Sequence, residues 1–159
     1  MSSLSPYAEH LGGLDPVAVL RTSFDDYHAR IPRLNPGDWQ KPWAPGKWTV
    51  AQIIVHVTQW EMILGLRVRC GVAAPHYEVQ PFDQDELLRR EGDIVSGQTA
   101  FEAFEGVRRM NIQFAESLSP DDRQKRVRHP ESGDIDVEHL LVTMAGHGVH
   151  HFKQIASIG

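Results

Sequence analysis

The chain has 159 residues, of which 41% are hydrophobic and 23% charged, with a formal net charge of -5, nine histidines and one cysteine. This length suits one self-sufficient domain, 1–159, and the mild acidity argues against nucleic acid or an anionic membrane surface as partner. The single Cys70 excludes an internal disulfide and fits a reducing compartment. The opening "MSSLSPYAEHLGG" lacks a basic segment followed by an apolar one, and no apolar run nears the roughly 20 residues that span a bilayer. A cytoplasmic protein is therefore expected.

In chain order, the first helix is expected over "DPVAVLRTSFDDYHARI", with Asp15 as its cap and Pro16 at the first helical position. Val17, Leu20, Phe24, Tyr27 and Ile31 recur at helical spacing, and Pro32 ends the run. A loop rich in Pro, Gly and Trp follows. The second helix opens at "TVAQ", where Thr49 and Gln52 have the spacing of a capping box, and is expected to stop at Cys70–Gly71. Residues 71–96 read as a long connection with one short helical piece, "DQDELLRRE". The third long helix is expected from Gln98 to Leu118, and the fourth from the cap Asp136 to about Ile158. With no convincing strand signal, the fold expected is an all-α four-helix bundle. The long crossover between helices 2 and 3 can carry the chain back along a helix length, which makes the order up-down-down-up.

The fourth helix carries "HGVHHFKQ". At about 100° per residue, and with Val137 set at zero, Leu141, Met144, Gly148 and Ile155 form the core stripe. His151 falls inside that stripe and His147 on its flank, while His150 and His139 are expected to face solvent. His147 and His151 are thus an i, i+4 pair with Cβ atoms about 5–6 Å apart, a spacing that suits one metal ion. Two half-buried histidines bonded to neighbouring groups would leave the same pattern. On the second helix, His56 borders the stripe of Val50, Ile53, Ile54, Val57, Trp60 and Leu64. If helices 2 and 4 are neighbours, three imidazoles converge and leave a coordination position open, as in catalytic zinc sites; nickel, iron or manganese also accept imidazole. There is no HExxH, so a zincin protease is not indicated.

The segments "PGKWTVAQIIVHVTQWE", "PFDQDE", "HPESGDIDVEHLL" and "AGHGVHHFKQI", in this order, resemble the DinB-like (DinB/YfiT) metalloprotein superfamily. The opening "YAEHLGGLDPVAVL" is similar to one bacterial branch of it. The resemblance implies an up-down-down-up bundle, often a homodimer, with a divalent metal on His56, His147 and His151. It implies a small-molecule substrate. Characterised members include transferases and isomerases that use a low-molecular-weight thiol, and others are classed as metal-dependent hydrolases. A thiol-dependent S-transferase or hydrolase acting on a small electrophile is the leading expectation. A metal-bearing module without catalysis, and a structural bundle with a degenerate site, stand beside it.

Other candidates carry two readings each. Asp83 and Asp85 fit a proton carrier or a helix cap, the cap being favoured. Glu61 fits an acceptor behind a ligand or, preferentially, a solvated acid. Gln154 fits a ligand hydrogen bond or packing equally. Arg67 and Arg69 fit an anionic substrate or a solvated helix end. His129, beside Pro130, is expected to be structural. Trp39, Trp43, Trp48 and Trp60 fit pocket walls or, by default, core packing. Cys70, at a helix C-terminus where the dipole disfavours a thiolate, is not expected to be a nucleophile.

Overall fold

The structure is a computed structural model that describes residues 5–158; Met1–Leu4 and Gly159, which the expected 1–159 domain includes, lie outside the described residues. Four long helices build it: α1 (Pro16–Arg30), α2 (Val50–Ala73), α4 (Gly97–Glu116) and α6 (Val137–Ala156), joined by the short α3 (Gln84–Glu91) and α5 (Pro120–Arg123). Their starts are written in side-chain chemistry. Asp15 accepts from the Val17 and Ala18 N–H groups, and Thr49 and Gln52 form the expected capping box. Ser96 and Asp136 cap α4 and α6. α1 packs against α4 and α6, and α2 packs against the same two helices, so α2 and α6 are neighbours, as convergence of the histidines requires.

Paired contacts locate the helices along one another. The N-terminal residues of α1 and α6 meet through Arg123, which bridges Asp15 and Glu138, and further along the Tyr27 hydroxyl donates to the Gly148 carbonyl. Gly97 lies against Ala51, and Asn111 against Gly65, where a Cβ would meet the Asn111 amide at 2.4 Å.

Two findings differ from the sequence reading. α2 runs past Gly71 to Ala73. Gly71 is a close-packing residue, not a helix stop: a Cβ there would lie 2.9 Å from Val127 and 3.0 Å from Val137. There is also a three-stranded sheet in the order β1 (Tyr77–Glu78), β2 (Arg126–His129), β3 (Gly133–Asp136). β2 and β3 form a hairpin with Val127 opposite Ile135, and β1 adds in parallel with Tyr77 opposite Val127. Gly133 takes a positive φ of 75° in the hairpin turn. The strands are too short to show a period, and only Val127 and Ile135 are buried in the hairpin.

The interior has three levels. Val17, Leu20, Leu64, Val68, Ala115, Val137 and Met144 belong to one apolar cluster. Tyr27, Ile53, Ile54, Phe101, Phe104 and Ile155 belong to another. On every long helix a buried polar residue falls between the two: Ser23 on α1, His56 and Glu61 on α2, Arg108 and Asn111 on α4, His147 and His151 on α6. A polar layer this deep persists only if its members satisfy one another or a ligand.

Candidate metal centre

The layer divides into an ionic half and a histidine half. In the first, the Arg108 guanidinium, 0% exposed, approaches the Glu61 carboxylate at 2.8 Å and donates to the Leu20 carbonyl and the Ser23 hydroxyl. The Asn111 amide donates to both the carboxylate and the carbonyl of Glu61. These bonds tie α1, α2 and α4 together.

In the second half, α2 presents His56 to His147 and His151 of α6, all three no more than 5% exposed. One nitrogen from each ring lies within 4.8 Å of the others. The Nε2 atoms of His56 and His147 are 3.1 Å apart. Bonds of about 2.0–2.1 Å to a tetrahedral zinc place nitrogen ligands about 3.3 Å from each other, so the donor set fits one first-row divalent cation.

The surroundings favour the ligand form of the rings. The Nδ1–H of His151 donates to Gln154 Oε1 at 2.7 Å, which leaves Nε2 as a lone pair directed at the other rings. Gln154 is therefore an orienting residue. Among the described residues His56 Nδ1 has no hydrogen-bond partner; its ring lies between Trp48, at 4.7 Å, and Trp60, at 6.4 Å between centroids. Trp60 and Tyr7 also flank His147, at 5.4 and 5.3 Å. These aromatic walls exclude water, and burial is the first cause of the histidines' weak basicity. It lowers His56 to about 3 and His151 to about 4, and holds His147 well below its ordinary value. Neighbouring imidazoles and, for His147, Arg108 push the same way. At neutral pH all three are uncharged, as ligation demands.

An expected outcome follows for the metal-free protein. A base with a depressed folded pKa binds fewer protons folded than unfolded between the two values, so its stability contribution is complete above about 6.5 and shrinks as pH falls. Each such histidine removes up to about 1.4 kcal/mol per pH unit. The urea midpoint of metal-free protein should drop steeply from pH 6.5 to pH 4. The lowered carboxyls of Asp122 and Glu86 add to the loss only below their ordinary values of 3.8 and 4.5. A flat midpoint over pH 6.5–5 would show that the histidines are not buried as described.

The remaining candidates separate cleanly. Asp83 caps α3, accepting from the Asp85 and Glu86 N–H groups, and Asp85 is exposed. His129 Nδ1 accepts from Glu131 and Ser132 in the hairpin turn, the structural role expected. Trp48 and Trp60 wall the triad, whereas Trp39 packs in the core against Gly97. Glu61 is not a solvated acid: it is 2% exposed because α4 brings Arg108 and Asn111 over it. Arg67 is not a solvated helix end either; at 6% exposure it lies beneath the loop that follows α2. Arg69 spans from α2 to the Asn111 side chain of α4.

His150 does not face open solvent. The 3-10 turn Ala8–Leu11 covers it, and its ring meets Tyr7 and His10. His139 is half-buried as well. Sequence reasoning passed over Arg108 and Asn111, although both fall in the stripe Phe101, Phe104, Arg108, Asn111, Ala115; polar residues on an apolar stripe were the available signal. Tyr7 and His10 carried none, since nothing local announces that the N-terminal turn folds over α6.

A sequence model of the DinB superfamily matches residues 20–155. A "Putative metal-dependent hydrolase" of Geobacillus kaustophilus is 28% identical over 145 residues, covering 89% of this chain and 81% of that protein. A "Putative metal-dependent hydrolase" of Oceanobacillus iheyensis is 26% identical over 113 residues, covering 71% of this chain and 66% of its own length. Among solved structures, YfiT from Bacillus subtilis, described as a probable metal-dependent hydrolase with an unusual four-helix bundle topology, superposes with a TM-score of 0.81 at 16% identity, over 90% of this chain and 83% of that one. The mycothiol-dependent maleylpyruvate isomerase superposes at 0.70 with 15% identity, over 91% of this chain and 59% of that one. At these identities both structures speak for a shared four-helix-bundle fold. The chain spans just under two thirds of the Oceanobacillus protein and about three fifths of the isomerase.

Proposed function

The chain belongs to the DinB superfamily, and on that premise we propose that it is a metal-dependent enzyme in which His56, His147 and His151 hold one divalent cation. The observation that carries this reading is the convergence of three buried imidazoles from two helices, with ligand atoms within 4.8 Å. An all-imidazole donor set suits zinc or nickel first, and iron or manganese after them. The bound cation would supply Lewis acidity, lowering the pKa of a bound water or thiol so that it attacks a small electrophile. The chain's residues do the rest. His56 and His147 offer Nε2, Gln154 keeps the His151 proton on Nδ1, and Tyr7, Trp48 and Trp60 keep bulk water off the rings.

Hydrolysis with water as nucleophile accords with the names of the related hydrolases. Transfer to a low-molecular-weight thiol is the second form of the same reading. The whole chain, 1–159, is read as one domain of up-down-down-up order, cytoplasmic and homodimeric. The paired contacts of α1 with α6, and of α2 with α4, support that order. Among the described residues, no helix is long and apolar enough to cross a membrane.

Elemental analysis of protein purified without a chelating tag should find about one divalent metal per chain. Turnover on a panel of small electrophiles should be abolished by chelation and restored by the metal; dependence on an added thiol separates transferase from hydrolase. Full loading without turnover would reduce the reading to a metal-bearing module, and failure to take up any of zinc, nickel, iron or manganese would overturn it.

A further inference from the structure

One aromatic ring away from the histidines lies a groove of about 480 Å³, between the outer face of α2, the loop that follows it and α3. Ile63, Leu66, Tyr77, Phe82 and Leu87 give it apolar walls, and Arg67 lies within it. Its size falls in the range of small-ligand sites. Leu66 is 60% exposed and Phe82 36%, which leaves apolar surface at the mouth uncovered.

The state of Arg67 is what points to a ligand. The side chain is 6% exposed, and its guanidinium lies 5.7 Å from the Trp60 ring and 5.6 Å from the Phe82 ring. Among the described residues it makes one hydrogen bond, to the Gln80 carbonyl at 3.1 Å, and no ion pair. A guanidinium carries five N–H donors, and burying its charge without an anion is costly. The other charges of the groove are already committed. Asp83 caps α3, and Glu86 binds both Arg89 and Arg90. The groove therefore offers one cation that no carboxylate contacts, set among apolar walls; Glu131 acts on it only from beyond ion-pair distance.

We propose that this groove is a binding site for a small amphipathic organic acid, whose carboxylate pairs with Arg67 and whose aryl or branched alkyl body lies along Leu66, Phe82 and Leu87. The planar guanidinium fork matches a carboxylate, and the apolar walls reject a bare inorganic anion. Trp60, which touches both Phe82 and His147, is the shared wall between this site and the histidines. The assignment stands independently of whether the histidines hold a metal.

Calorimetric titration with phenylacetate, its neutral analogue 2-phenylethanol and acetate tests it. All three are run in the presence of 1,10-phenanthroline, so that no carboxylate binds through a metal. Saturable phenylacetate binding is expected, with the alcohol about ten- to a hundredfold weaker, as loss of a charge-assisted bond implies. Acetate should bind more weakly as well, for want of a body to bury. Arg67→Met should weaken phenylacetate to the level of the alcohol, while Arg67→Lys, which keeps the charge and loses the fork, should fall between. The comparison of acid with alcohol on the unaltered protein holds even if a variant fails to fold. Equal affinity for acid and alcohol, no saturable binding of phenylacetate, or unchanged affinity in a folded Arg67→Met protein would each overturn the proposal. So would a dimer that Leu66→Asp dissociates and phenylacetate does not, since a second copy would then own the groove.

Discussion

His147→Ala is expected to abolish metal retention. The side chain is 4% exposed, and its Nε2 lies 3.1 Å from that of His56, so its loss leaves two imidazoles where three converged. Partners that only orient ligands are worth about 10–100-fold in affinity; removing a ligand itself should exceed about 100-fold. Competition with a chromophoric chelator measures this, and circular dichroism verifies the fold. His150→Ala is the internal control. His150 adjoins the motif, yet its Nδ1 faces His10 and its Nε2 faces Gln154, so the variant should retain wild-type metal stoichiometry. Retention of metal by folded His147→Ala, or its loss from His150→Ala alone, would sink the assignment of ligands.

Arg108→Met should be the most destabilising single change in the bundle core. It strands the Glu61 carboxylate, 2% exposed, with only the Asn111 amide, and it removes donors from the Leu20 carbonyl and the Ser23 hydroxyl. Removing one partner of a buried ion pair costs about 3–5 kcal/mol. For a domain of this length that corresponds to a fall in Tm of about 10 °C. Glu61→Met combined with Arg108→Met should recover much of the loss, because replacing both charges by apolar groups removes the stranded one. Thermal unfolding of the two single variants and the double variant closes the cycle. Additive losses would mean that the two charges do not act as a pair.

Both predictions concern the layer between the two apolar clusters, and they differ in how far a reader of the sequence could have reached them. His147 and His151 were legible. The period of α6 is set by its own residues, Asp136 starts it, and the angle between two positions on one helix needs no knowledge of the rest of the chain. His56 was reached from the stripe of α2, on the condition that helices 2 and 4 are neighbours, and the resemblance repeated it; the helix could be placed by its own capping box, but not its neighbour. Glu61 was misread for the opposite reason. Its ion pair is with Arg108, on another helix, and an acid looks the same in sequence whether water or a guanidinium solvates it. For Arg67 the sequence left an anionic partner and a solvated helix end equally open, since the loop residues that cover it, Gln80 and Phe82, come from beyond the end of its helix.

The division follows from the range of the interactions. Caps, stripes and the inward facing of the histidine pair depend on residues within a turn or two, so the chain's own order specified the four long helices, their starts and two of the three candidate ligands. The sheet joins Tyr77 to Val127, and the polar layer joins all four long helices. Gln154 acquires its orienting role only from the rotamer in which it meets His151. Those features depend on which surfaces meet across dozens of residues. Packing decided them, because burial turns a side chain's meaning from solvated to structural or chemical only once its cover is in place.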